Sequence, residues 1–99
     1  MNLFSFPDDA RWNAAADAVE FGIEVGEYRG VVRVPSRVFR YVLERRATPQ
    51  SCIEAYYLYR SELERVAQVK LRAGALTDDG NIELSWRDLG MAGARSRGR

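Results

Sequence analysis

Three features are scarce or absent in this 99-residue chain: it has no histidine, a single cysteine and no long apolar run. Histidine is the commonest metal ligand and general base, so its absence excludes most familiar metal sites and catalytic constellations. The lone cysteine, Cys52, cannot form an internal disulfide, which is typical of a reducing compartment. No apolar run approaches the roughly 18 residues that cross a bilayer, and residues 1–7 lack the features of a signal peptide. We therefore expect a cytoplasmic protein without a metal or a cofactor.

Length and charge predict one folded domain followed by a basic tail. With 46% hydrophobic and 29% charged residues, the chain can bury a single modest core. The formal net charge is +1, but three of the 15 basic residues, Arg95, Arg97 and Arg99, lie in a tail without acidic residues. The other 12 basic residues face 14 acidic ones, so the body is mildly acidic. We predict a single domain over residues 1–90 and a disordered tail over residues 91–99.

The longest regular segment extends from Thr48 to Ala73 and predicts one long helix. Thr48 can cap its N-terminus, Pro49 suits the first helical position, and Gly74 can adopt a left-handed conformation that ends it. At about 100° per residue, one face collects the side chains of Cys52, Tyr56, Tyr59, Leu63, Val66 and Ala67. This pattern is typical of a helix that packs on a core.

Strict alternation of apolar and polar residues over positions 19–25 predicts a strand. Gly26-Glu27 then fits a two-residue hairpin loop, which fixes the register of a returning strand over residues 28–34. The register predicts these cross-strand pairs: Phe21 with Val32 on the inner side, and Glu24 with Arg29 and Glu20 with Arg33 on the outer side. Exposed charge pairs of this kind specify the register more than they stabilise the sheet.

The remaining segments complete an α+β fold. Ser36 can cap a short helix that extends through Arg46, and Ile82, Leu84 and Trp86 alternate with polar residues as a final strand. The first eighteen residues are ambiguous between a short helix and strands with a turn, and we favour the strands. In chain order we predict a β-hairpin meander, two helices and a C-terminal strand. The strands form a small antiparallel sheet that packs against the one long helix.

A scattered set of residues carries a family resemblance. The set comprises Phe6-Pro7, Trp12 with Val19 and Phe21, the long-helix residues Arg60, Glu64, Ala67 and Lys70, and Asp88. Through them nearly the whole folded body resembles a family of small bacterial proteins known as domain of unknown function 1488. The sequence departs from that family in its returning strand, which is usually more polar and often contains a cysteine, and in its arginine tail. The resemblance implies a compact α+β domain and strands around Trp12, and it brings no established activity.

Cys52, Lys70 and Arg60 are the candidates for chemistry on the long helix. Cys52 lies near the helix N-terminus, which lowers thiol pKa values, but it also lies in the apolar stripe, so we favour a buried structural role. Lys70 lies on the same apolar line, where it is either a desolvated nucleophile or a cation that extends past the edge of the core, which we favour. Arg60 can pair with Glu64 and, with Lys70, could line an anion site, although an ordinary surface ion pair is favoured.

Arg37, Arg40 and Arg45 form a basic patch on the outer side of the short helix. With the arginine tail they are a candidate contact for nucleic acid or another anion. The mildly acidic body favours a solvated face instead. The acidic pairs Asp8-Asp9 and Asp78-Asp79 lack the ligand spacing of a calcium loop, so we interpret both as turn residues.

The apolar arc of the long helix is wider than one small sheet can cover. The candidate interface residues are Ile53, Tyr57, Leu58 and Leu71. A monomer would expose either the side of Ile53, Tyr57 and Leu71 or the side of Leu58 and Val69, unless the N-terminal aromatic residues fold over that flank.

The sequence favours a non-enzymatic interaction module, in which the exposed apolar side binds a second copy as a homodimer or another protein. The alternatives are a weak nucleic-acid-binding or regulatory protein, which would use the Arg37 and Arg40 face with the tail, and a small enzyme of unknown reaction.

Overall fold

A computed structural model describes residues 3–7, 10–43 and 47–89, and of residues 41–43 it describes the backbone. In chain order the elements are β1 (Phe4–Ser5), β2 (Arg11–Asn13), β3 (Ala18–Val25), β4 (Tyr28–Pro35), α1 (Ser36–Leu43), α2 (Pro49–Leu58), α3 (Arg60–Arg72) and β5 (Ile82–Glu83). The α+β class is therefore confirmed. The predictions for Asp8-Asp9, Arg45, the helix end at Arg46 and the tail over residues 91–99 lie outside the described residues.

The β3–β4 hairpin has the predicted two-residue loop and register. Gly26 has a φ angle of +58°, a left-handed conformation that glycine adopts without a steric cost. The pairs Phe21 with Val32, Glu20 with Arg33 and Glu24 with Arg29 all face one another across the two strands. Loop length and alternation thus fix which side chains of the hairpin enter the core.

The sheet is mixed rather than purely antiparallel, which corrects the prediction. β1 and β2 pair antiparallel with opposite ends of β3 along the same edge, as the strand interpretation of the N-terminal segment predicts. On the other side of the hairpin, β5 pairs parallel with β4. The parallel direction arises because the chain crosses over through all three helices before it returns to the sheet.

The predicted single helix is wrong in its centre, because it is divided into α2 and α3 at Tyr59. Both ends are as predicted: Thr48 Oγ1 accepts the Ser51 N–H at 3.1 Å, and Gly74 has a φ angle of +72°. At Tyr59 the backbone takes φ −107° and ψ 23°, outside the helical range. α2 contacts β2 and β3 while α3 contacts β5, so the break lets one helical layer follow a twisted sheet.

The final strand is also shorter than predicted. β5 ends at Glu83, Leu84 is buried directly after it, and a helical turn follows at residues 86–89. Ser85 and Asp88 form a capping box for this turn: Asp88 Oδ2 accepts the Ser85 N–H at 2.7 Å, and Ser85 Oγ accepts the Asp88 N–H at 3.2 Å. Trp86 therefore lies on a helical turn and is 46% exposed.

The core lies between the inner face of the sheet and the helices. Its largest fully buried side chains include Tyr56, Phe21, Phe39, Ile23 and Leu63. The N-terminal segment contributes at the margin, where Phe4, Phe6 and Trp12 are partly buried against it. The Phe6 and Phe21 rings lie 6.3 Å apart, within the range of favourable aromatic contacts.

Candidate functional site

The outer side of the helical layer exposes several large apolar side chains. Leu58 is 78% exposed and Val69 is 54% exposed, while Tyr57 and Tyr59 are 49% and 44% exposed. The exposure of Tyr59 differs from the prediction, which placed this side chain at the centre of the buried stripe. Tyr59 is the residue that leaves the helical conformation, so the regular periodicity does not apply there.

The four candidate interface residues divide into two pairs. Ile53 and Leu71 are half-buried and pack against the core. Tyr57 and Leu58 are exposed, although the Tyr57 ring also contacts the buried Tyr56 ring edge-on at a centroid distance of 4.8 Å. The larger exposed apolar area is therefore on the side of Leu58 and Val69.

An ion pair lies between Leu58 and Val69 on this side of the helices. Arg65 Nη2 contacts Glu62 Oε2 at 2.5 Å, and the two side chains are 58% and 41% exposed. At about 100° per residue, Glu62, Arg65 and Val69 of α3 point within an arc of about 60°, and Leu58, the last residue of α2, lies four positions before Glu62. We call these four residues the outer helix stripe.

The proposed anion-site residues Arg60 and Lys70 are each held by a different acidic partner. Arg60 Nε donates to Glu64 Oε2 at 2.8 Å, which confirms the predicted pair. Lys70 Nζ donates to Asp88 Oδ2 at 3.0 Å and to the Glu83 carbonyl oxygen at 2.8 Å. Lys70 thus lies at the edge of the core, as the favoured alternative predicts, and it fastens the C-terminal helical turn to α3.

Asp88 has a lowered pKa in this contact. Burial raises the pKa of the carboxyl, but the Ser85 backbone hydrogen bond and the Lys70 ammonium stabilise the charged form more strongly. The contact of Lys70 with Asp88 is therefore a charged, half-buried tie between the end of the sheet and the helical layer.

The basic patch is partly neutralised within the chain. Arg37 Nη2 lies 3.7 Å from Glu83 Oε2, and Arg40 is exposed on α1. Arg45 lies outside the described residues, so the patch of three arginines stays a prediction.

The outer face of the sheet also carries a polar cluster that the sequence pattern does not predict. Glu20 was predicted to form an exposed pair with Arg33, but its side chain is only 5% exposed. Arg33 Nε and Asn13 Nδ2 each donate to Glu20 Oε2 at 2.9 Å, and Arg11 Nη2 donates to Oε1 at 3.1 Å. We call these four residues the Glu20 cluster. The missing information was the register of β2, which places Arg11 directly opposite Glu20.

The Glu20 cluster holds its carboxylate in the charged form. Burial raises the pKa of Glu20, but hydrogen bonds from Asn13 and Arg33 and the charges of both arginines outweigh it, so the pKa lies below its ordinary value. Because the donors come from β2 and β4, the cluster joins three strands across the outer face. Its geometry is that of a structural tie.

Cys52 is fully buried, which confirms the structural interpretation. Burial raises the pKa of the thiol, and the nearby Asp17 carboxylate adds to the effect. A raised pKa keeps the sulfur protonated and unreactive at neutral pH.

Within the described ranges, no group of three Cys, Asp or Glu side chains is placed to hold a metal ion. Among the helices in those same parts of the chain, none has the length and apolar character to span a membrane.

Together the mixed sheet, the divided helical layer and the structural ion pairs define an α+β domain with several exposed apolar side chains on its helices. The family model described as a protein of unknown function (DUF1488) matches residues 4–84, and the chain belongs to this family. It is also similar to a crystal structure, at 1.60 Å resolution, of a protein of unknown function from the same family from Shewanella loihica PV-4. The TM-score is 0.75 at 13% identity, over 82% of this chain and 90% of that one, which shows a shared fold. No curated protein matches the chain.

Proposed function

We propose that the protein is a non-enzymatic interaction module that self-associates through the outer helix stripe. The observation that carries this proposal is the exposure of Leu58 and Val69, at 78% and 54%, on either side of an exposed ion pair. Burying one such side chain contributes about 1.5–3 kcal/mol, so a partner that covers both would gain substantial free energy.

The structural roles of the other candidate residues support a non-enzymatic function. Cys52 is buried and protonated, and Lys70 is bound to Asp88 and to the backbone of β5. The Cys52 sulfur is therefore shielded and the Lys70 ammonium is engaged in hydrogen bonds, whereas a nucleophile or a general base must have these atoms free to react with a substrate.

Charge supports a second copy as the partner. The stripe carries one acidic and one basic side chain between its two apolar ends, so it is complementary to itself. Because every copy carries the same stripe, a twofold dimer buries both surfaces at once. Two large apolar side chains per copy make a small interface, and we therefore expect a reversible dimer rather than a permanent one.

Sedimentation velocity across a dilution series from about 1 µM to about 1 mM tests this proposal. We expect a shift from monomer to dimer in the wild-type protein and a monomer throughout for Leu58→Glu, since the new carboxylate would have to be buried. Leu3→Glu is the matched control, because Leu3 is 73% exposed and lies before β1, outside α2 and α3. A monomeric wild-type protein at every concentration would overturn the proposal, as would equal weakening by both variants.

A further inference from the structure

We infer that two copies pair their helices antiparallel along the outer helix stripe, with Leu58 of one copy against Val69 of the other and Glu62 against Arg65. This inference rests on the proposed self-association and adds its geometry. Four observations carry it: the spacing of the stripe, its exposure, its charges and the continuity of the helices across Tyr59.

The spacing is that of a two-helix contact. Leu58, Glu62, Arg65 and Val69 follow one another at steps of four, three and four residues. Such a repeat keeps side chains on one line along a helix and is the pattern by which paired helices interlock. At 1.5 Å per residue the stripe is about 16 Å long, which is about three helical turns.

The break at Tyr59 does not separate Leu58 from the rest of the stripe. The Tyr59 N–H donates to the Ala55 carbonyl oxygen at 2.9 Å, and the Leu63 N–H donates to the Tyr59 carbonyl oxygen at 3.0 Å. The N–H and the carbonyl oxygen of Tyr59 therefore both form hydrogen bonds with helical spacing of four residues. The last turn of α2 thus leads directly into α3.

The order of the charges selects the antiparallel direction. A twofold axis that passes between Leu63 and Glu64 places position 58 against position 69 and position 62 against position 65. Both apolar contacts and both ion pairs form together in this single register. A parallel twofold pair would instead place Glu62 against Glu62 and Arg65 against Arg65, and like charges in contact are unfavourable.

Exchange of ion-pair partners between copies costs little. The Glu62 and Arg65 side chains are 41% and 58% exposed, and a pair so exposed to solvent adds little to the stability of one chain. The charges therefore determine orientation and register, while Leu58 and Val69 supply the affinity.

Charge reversal tests the register. Glu62→Arg and Arg65→Glu should each weaken the homodimer by about tenfold or more, because each places two like-charged pairs in the interface. An equimolar mixture of the two variants should form a heterodimer, and the double variant Glu62→Arg/Arg65→Glu should regain self-association. Reversal of Arg60 and Glu64, which lie on the other flank of α3, is the control and should leave the dimer unchanged.

Cross-linking gives an independent readout that does not depend on charge. Leu58→Cys mixed with Val69→Cys should cross-link between copies under mild oxidation, whereas Leu58→Cys alone should not, because its two copies would lie about 16 Å apart along the helices. The native Cys52 is buried and does not compete. The register would be overturned, and the self-association would stand, if charge reversal left the dimer unchanged and Leu58→Cys alone formed the cross-link. A wild-type monomer at every concentration would overturn both.

Discussion

The outer face of the sheet and the outer side of the helices both carry acidic and basic side chains, but these side chains differ in how far they are buried. The side chain of Glu20 in β3 is 5% exposed and receives hydrogen bonds from three residues on two other strands. The side chain of Glu62 in α3 is 41% exposed and pairs with Arg65 on its own helix. The sheet uses its carboxylate to hold strands together, whereas the helix leaves its carboxylate exposed to solvent.

This difference follows from the number of donors that each element can supply. Neighbouring strands present side chains to Glu20 from both sides, and together these donors offset the cost of its burial. A helix offers its surface residues partners at three and four positions along the same chain, which leaves one side open to solvent. The same residue types therefore stabilise the fold in one place and stay accessible in the other.

The largest effect that we expect comes from Glu20→Ala. The substitution leaves Arg33 and Asn13 without their shared acceptor, so the free energy of unfolding should fall by about 2–4 kcal/mol in urea titrations. Glu24→Ala is the matched control on the same face of β3, because its pair with Arg29 is largely exposed and should cost less than about 1 kcal/mol. Similar losses for both variants would remove the contrast between a buried and an exposed pair.

A smaller effect should come from the half-buried pair of Lys70 and Asp88. Their side chains are 23% and 24% exposed, between the values for Glu20 and those for Glu62 and Arg65. In a double-mutant cycle with Lys70→Met and Asp88→Asn we expect a coupling energy of about 1 kcal/mol. The corresponding cycle for Glu62 and Arg65, measured in dilute protein, should give less than about 0.5 kcal/mol. A larger value for the helical pair would reverse the comparison.

Acid should weaken the fold through the Glu20 cluster. The pKa of Glu20 is lowered in the folded state, so its contribution is present above the unfolded pKa near 4.5 and is lost as the pH falls through the folded value. The free energy of unfolding of Glu20→Gln should therefore fall less steeply below pH 4.5 than that of the wild type. Glu24→Gln controls for the change in net charge. If both variants reduce the pH dependence of the free energy of unfolding equally, that dependence comes from net charge and not from the Glu20 cluster.

The hairpin could be predicted fully because its information is local. A two-residue loop and strict alternation leave one register, and both charge pairs on its outer face follow from it. The burial of Glu20 did not follow, because it depends on Arg11 and Asn13 in β2, a three-residue strand with no alternation of its own to identify it.

The helix break and the final strand show what local patterns omit. Neither proline nor glycine occurs near Tyr59, so the sequence contains no signal that would divide α2 from α3. After the final strand the sequence does contain a signal: Ser85 and Asp88 have the spacing of a capping box, which ends the strand before Trp86. The parallel pairing of β5 depends on the path of the chain through three helices, which alternation within a strand does not encode.

The hydrogen bond from Lys70 to the Glu83 carbonyl oxygen also affects how the sheet could grow. The Leu84 N–H points towards β4 and donates to the Arg33 carbonyl oxygen at 2.9 Å, so the backbone of the preceding residue, Glu83, faces away from the sheet. The Lys70 ammonium donates a hydrogen bond to the outward-facing Glu83 carbonyl oxygen at 2.8 Å. A strand added at this edge would have to displace a cation that is also paired with Asp88, which opposes open-ended, fibril-like extension of the sheet.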